Sequence, residues 1–329
     1  MNHRLSLFVF FLLSSLPMFS QSKGEVLRQR VDSALEQRYY RIRYDTLYIQ
    51  RPRTRLTLKA RMNVSGNAVK TFEEYDGVDF RADLETDNRA TFSLGVSYSG
   101  ISVALALNPA KISGRNSDKE YNINYYSNRL SFDASYQRSH SLHGTYRMGD
   151  RRVPIERGDV KMSTLNIAGY YTFNYRRFSY PAAFTQSYLQ RRSAGSWLAG
   201  FSYQGATIKH DTDTLKGIPK LRTFVGNFAI GGGYGYNLVA GRHWLFHLSA
   251  MPTLIVWNSS NITVDGEKQK MGYRFPELIF NSRLAVVFNV SERYFLAATA
   301  VMNLMTYHTR HSFAAQNKWY TRASFGVRL

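Results

Sequence analysis

The chain has 329 residues, enough for one large domain or two ordinary ones, and 44% of them are hydrophobic. It contains no cysteine, which excludes disulfides, thiolate zinc sites, cysteine nucleophiles and the lipidated cysteine of a bacterial lipoprotein. Lys and Arg outnumber Asp and Glu by 43 to 23, a formal net charge of +20, and such an excess attracts anionic partners.

The N-terminus reads as an export signal. Asn2-His3-Arg4 is a short positive lead, Leu5–Phe19 is an apolar run broken by Pro17, and Ser20 and Ser22 offer small residues for cleavage. Residues 1–22 are therefore expected to be removed, and export makes nucleic acid a poor partner. Beyond residue 22 no uninterrupted apolar stretch approaches the roughly 20 residues of a spanning helix. Leu27, Val31, Ala34 and Leu35 then fall at helical spacing, which predicts a short amphipathic helix. An extended arginine-rich segment follows, with Pro52 excluding a helix. Residues 23–52 are expected to plug a lumen or to lie in the periplasm.

From residue 53 to 329 the period changes to two. In RLTLKARMNV, Leu56, Leu58, Ala60, Met62 and Val64 alternate with Arg55, Thr57, Lys59, Arg61 and Asn63, so a strand here has one oily and one basic face. VDFRADLE sets Val78, Phe80, Ala82 and Leu84 against Asp79, Arg81, Asp83 and Glu85. TFSLGVSY, ISVALAL, LSFDASY, WLAGFSY, HWLFHLSA, LAVVFNV and YFLAATAVMNL continue the alternation. The closing KWYTRASFGVRL places Trp319, Ala323, Phe325, Val327 and Leu329 on one face.

Alternating strands near ten residues, parted by polar turns and carrying aromatics at their ends, are the pattern of a membrane barrel. A soluble sandwich offers the same alternation. Long runs and aromatic strand ends favour lipid over a soluble core. The expected fold is an all-β antiparallel transmembrane barrel of about 12 strands, with 10 to 14 compatible. The apolar face of residues 56–64 is then lipid-facing, and Arg55, Lys59 and Arg61 face the lumen. Asp79, Arg81, Asp83 and Glu85 are expected in the lumen opposite them, where opposite charges pair across strands. Phe325, Val327 and Leu329 form a candidate C-terminal signal for the barrel-insertion machinery.

YDTLYIQRP (Tyr44–Pro52), NYYSNRLSFDASYQRS (Asn124–Ser139), GGGYGYN (Gly231–Asn237), FPELIF (Phe275–Phe280) and the final FGVRL resemble an uncharacterised family of Bacteroidota outer-membrane proteins classed under a domain of unknown function. The resemblance spans nearly the whole mature chain. It implies an outer-membrane barrel of a Gram-negative bacterium and carries no catalytic residues across.

Candidate chemistry is sparse. GGGYGYN lacks the Lys-Ser/Thr of a phosphate loop, so its glycines are expected to bend strands or admit a plug. His243 and His247 would stand about 13 Å apart along a strand, too far to share a metal ion. Ser139, His140 and Asp133 offer the residue types of a nucleophilic triad, as an outer-membrane lipid hydrolase or acyltransferase would use. Their nearness in sequence says nothing of geometry. No catalytic residue, metal or cofactor is assigned. The expected function is a monomeric narrow pore with an anion bias. The alternative is a non-transporting envelope barrel with a filled lumen. Expected partners are outer-membrane lipid, including lipopolysaccharide phosphates that arginine forks can bridge.

Overall fold

The computed structural model describes residues 43–54, 56–75, 78–98, 101–107, 118–210, 220–264, 266–272, 275–308 and 312–329, together with Ser33. The expected signal peptide, most of the expected amphipathic helix and Arg55 lie outside the described residues. The following concerns the unit Tyr44–Leu329.

Its strands are β1 (Ile49–Gln50), β2 (Leu56–Tyr75), β3 (Val78–Glu85), β4 (Arg89–Tyr98), β5 (Ile101–Leu107), β6 (Lys119–Tyr126), β7 (Leu130–Met148), β8 (Arg151–Thr172), β9 (Leu189–Gln190), β10 (Ala194–His210), β11 (Leu221–Ala240), β12 (Trp244–Val264), β13 (Glu267–Lys270), β14 (Leu278–Asn289), β15 (Tyr294–His308) and β16 (Ser312–Arg328). Between β8 and β9 lies a short helix, α1 (Tyr180–Phe184). All pairings are antiparallel. The closed ring runs β2, β3, β7, β8, β10, β11, β12, β14, β15, β16 and back to β2 through Arg328↔Thr57 and the ladder above it. Closure leaves the ring itself no sheet edge.

The ring has ten strands where about twelve are expected from sequence, and two features absorb the difference. Several strands are twice the expected length, with 20 residues in β2 and 22 in β8. In the half nearer the ring's ends at Leu56 and Arg328, β4 and β7 also carry the extra strands β5 and β6 on their free sides.

In β2 the even positions face out: Leu58 and Met62 are exposed, while Thr57 and Lys59 are buried within the barrel. The same outward face continues across the register pairs to Leu94 and Phe325, both exposed. An exposed apolar band with aromatic pairs at its margin, such as Trp244–Phe288 at 4.5 Å and Tyr294–Phe325 at 6.4 Å between ring centroids, is the surface of an outer-membrane barrel. Phe325, Val327 and Leu329 sit on that face.

Residues Asp79, Arg81, Asp83 and Glu85 are elsewhere than the alternation suggests, because of one bulge. Glu85 pairs with Ala68 and Arg89 with Ser65, so Thr86, Asp87 and Asn88 on one strand face only Gly66 and Asn67 on the other. One extra residue moves every side chain beyond it to the opposite face. In β4 the apolar residues therefore point outward, whereas in β3 Ala82 is buried and Leu84 packs on an internal cluster with Val69, Leu142, Ile155, Val160 and Met162. Asp83 meets Lys70 at 3.3 Å, with both side chains more than two-thirds exposed. Arg81 meets Asp79 at 3.1 Å on the same outer surface. These four charges thus lie outside the barrel and away from Lys59 and Arg61, a correction to the lumenal assignment.

The bulge is itself clamped. Arg157 donates to both carboxylate oxygens of Asp87 at 2.8–3.1 Å, and His143 Nδ1 stands 3.7 Å away. The Arg157 hydrogen bonds hold the Asp87 carboxyl below its usual range against a weaker opposing effect of burial. A depressed carboxyl contributes stability above its unfolded value, near pH 4, and loses it as pH falls through the folded value. Asp87→Asn is therefore expected to flatten the fall in Tm between about pH 5 and pH 2. Parallel thermal melts of the two proteins check this, and identical slopes would remove Asp87 from the account.

Candidate functional site: the barrel lumen and its plug

The connection from β8 to β10, residues 173–193, turns back into the lumen at the end where the ring's chain enters and leaves. Its sequence explains why. Ser179 caps α1, its Oγ accepting from the Ala182 N–H at 3.3 Å, and Pro181 sits in the first turn, where its missing N–H is harmless. The helix is only five residues long and apolar on all sides: Tyr180, Pro181, Ala182, Ala183 and Phe184 are all buried. Such a helix needs apolar walls. Leu198, Leu245, Met251, Val287 and Phe295 supply them from inside the barrel. The segment at residues 44–52 braces this plug from outside: β1 pairs with β9, and Arg51 donates to the Tyr188 hydroxyl at 2.7 Å. The plug is thus the β8–β10 connection, braced by residues 44–52, which belong to the expected 23–52 segment.

Polar contacts lock it. Gln190 accepts from the Ser179 N–H at 3.1 Å and from Asn237 Nδ2 at 3.0 Å, and donates to the Arg177 and Arg192 carbonyls. Asn237 also donates to the Ser179 carbonyl at 3.0 Å. Lys59 reaches from β2 and donates to the Thr185 carbonyl. Within GGGYGYN, a Cβ on Gly235 would stand 3.1 Å from Phe178 Cζ, so glycine at this position admits the plug.

Beneath it lies an arrangement that sequence proximity did not reveal. His247 Nδ1 is 2.7 Å from Asn237 Oδ1, and Nε2 is 3.0 Å from Ser249 Oγ. Ser, His and Asn in this order have the distances of a nucleophile, base and orienter. Their surroundings argue otherwise. His247 and Ser249 are buried, and the rings of Phe178, Tyr180 and Phe184 stand 5.0–5.8 Å from the imidazole. The geometry serves as a latch under the plug. The register Asn237↔His247 was the available signal, but it needs strand pairing to be read.

The sequence-derived triad does not assemble. Asp133 is taken by Arg283 at 2.5 Å and by the Tyr126 hydroxyl at 2.5 Å. Ser139 Oγ accepts from Gln137 Nε2 at 2.9 Å, and the His140 N–H donates to Asp118. His243 is exposed and bonds the Asn289 carbonyl while His247 is buried, so the two histidines serve different places. Among the described residues, no group of three or more His, Asp or Glu stands where it could hold a metal ion.

Two ion networks cross the lumen. Arg283 is held by Asp133 and by the Tyr170 hydroxyl, with its guanidinium 4.1 Å from the Tyr170 ring centre. Arg89 is held by Asp118 at 3.1 Å and Glu120 at 2.7 Å, both nearly inaccessible. Lys59, Arg61 and Arg322, on the inner face of β2 and β16, are different: among the described residues none has a carboxylate partner. Lys59 has Thr185, and Arg322 Nε donates to Asn63 Oδ1 at 2.6 Å.

A family model described as a domain of unknown function (DUF4421) matches residues 43–328, and the chain belongs to that family. No curated protein matches it. Among solved structures it is similar to the outer-membrane protease OmpT of Escherichia coli, with 7% identity, TM-score 0.42, and 84% of this chain and 97% of that one covered. The translocator domain of the autotransporter NalP of Neisseria meningitidis matches with 9% identity, TM-score 0.31 and coverage of 94% and 98%. OprG of Pseudomonas aeruginosa matches with 8% identity, TM-score 0.28 and coverage of 86% and 98%.

Proposed function

We propose that this DUF4421 member is a monomeric outer-membrane barrel closed to free diffusion by its own plug, an envelope component rather than an open pore. The observation that carries this reading is α1 with the Phe178 that precedes its cap, since Phe178, Tyr180 and Phe184 fill one end of the lumen with buried aromatic side chains. Further along, the clusters around Leu142 and around Ile255 and Ile279 fill the interior again. We read the His247 latch as structural and the protein as non-enzymatic. Membrane lipid covers the apolar band. The exposed arginines of the β7–β8 hairpin, Arg147, Arg151 and Arg152, suit lipopolysaccharide phosphates. The C-terminal face of Phe325, Val327 and Leu329 suits the insertion machinery.

One observation favours a second reading, a narrow anion-biased conduit that opens when the plug moves. It is the cluster of Lys59, Arg61 and Arg322, cations that have no carboxylate partner among the described residues. Conductance of the refolded protein in a planar bilayer under a salt gradient separates the two. A silent, heat-modifiable barrel is the expected result, and discrete anion-selective openings of the unmodified protein would overturn the closed reading.

A further inference from the structure

We propose that Lys59, Arg61 and Arg322 form a binding site inside the barrel for a phosphoryl group. The argument starts from contrast. The fold gives Arg89 two carboxylates and Arg283 one, and it meets the buried Arg328 and Lys318 with the neutral acceptors Asn289, the Glu292 carbonyl and Ser135. It gives no carboxylate, among the described residues, to the three cations clustered on β2 and β16. Strand register fixes their closeness: Arg61 lies opposite Ser324, and Arg322 opposite Asn63, one inward position further along β2. Arg61 and the Asn63 that accepts from Arg322 thus occupy successive inward positions of β2. A folded chain keeps such a cluster of like charges in a poorly hydrated interior only at a cost, which an anion removes.

The remaining chemistry selects the anion. Arg61 is only partly buried. Among the described residues no side-chain or backbone acceptor holds it. Arg322 spends only Nε on Asn63. Small hydroxyl residues stand beside Arg61 on both neighbouring strands, Ser93 on β4 and Ser324 on β16, leaving room and adding neutral donors. Two guanidinium forks, an ammonium and two hydroxyls match a dianion with three acceptor oxygens better than a carboxylate with two. A phosphorylated lipid headgroup and a free phosphate present the same chemistry.

The site deepens the closed-barrel reading by naming what such a barrel would hold. Its test is binding, so it can fail independently of conductance. The full mature chain, folded in dodecyl-maltoside, would be titrated calorimetrically with inorganic phosphate at constant ionic strength, with chloride as control. A second titration would use micelles doped with phosphatidic acid. Saturable binding of either probe, weakened about tenfold or more in Arg61→Gln and in Arg322→Gln, is the expected result. Lys70→Gln, on the outer surface, should bind as the parent does. Heat-modifiable mobility confirms that each variant is folded. Binding of the doped lipid alone identifies a headgroup, and binding of both probes identifies phosphate itself. Equal binding by the parent and both arginine variants, or none beyond the chloride control, would overturn the proposal.

Discussion

Arg283→Leu is expected to lower the unfolding free energy by about 3–5 kcal/mol. The side chain is almost fully buried, and its guanidinium meets Asp133, the Tyr170 hydroxyl and the face of the Tyr170 ring. Removing it leaves the Asp133 carboxylate with Tyr126 as its remaining described partner. An unpaired charge in that setting is worse than either a paired charge or none. The double variant Arg283→Leu/Asp133→Leu should therefore recover a large part of the loss, because it removes both desolvation penalties together. Urea unfolding in lipid vesicles, followed by tryptophan fluorescence, gives the comparison. A double variant as unstable as the sum of its singles would show that the pair does not act as a unit.

The largest functional effect belongs to the plug. Phe178, Tyr180 and Phe184 pack against the barrel wall and against His247, and truncating a buried aromatic to alanine typically costs about 3–5 kcal/mol. Beyond these rings the plug is held by hydrogen bonds through Gln190, Asn237, Lys59 and Asn128 and by the β1–β9 pairing. Phe178→Ala/Tyr180→Ala/Phe184→Ala is thus expected to free the segment while the ring, with its own ladders, stays folded. Single-channel recording should turn from silence to conduction, and Lys59 and Arg61 should give the current an anion preference. Continued silence of a heat-modifiable triple variant would place the seal elsewhere, in the apolar clusters around Leu142 and Ile255.

Period-two alternation made the barrel, the inward placement of Lys59 and Arg61, and the outward face of Leu58 and Met62 legible from sequence, because alternation reports the two faces of a strand directly. It could not report the bulge at Thr86–Asn88, since a one-residue slip leaves each half of the pattern locally perfect. Asp79, Arg81, Asp83 and Glu85 were misplaced for that reason. The plug was hidden differently. YPAAF is too short to show a helical period, and its role depends on walls contributed by strands from β8 to β16. The Asn237–His247–Ser249 contact spans a hairpin register that no local pattern encodes. GGGYGYN was the readable trace, a row of positions without side chains where another part of the chain comes close.

The plug is a connection between β8 and β10, covalently joined to the wall at both ends. It cannot dissociate, exchange or be titrated away. Any open state leaves the segment tethered to β8 and β10, so the balance between open and closed is an intramolecular equilibrium, independent of protein concentration. The lever available to a regulator is the small set of contacts at the latch, among which Lys59 also belongs to the cationic wall. A ligand that drew the Lys59 ammonium away from the Thr185 carbonyl would loosen the plug, and a loosened plug would by reciprocity bind that ligand more tightly.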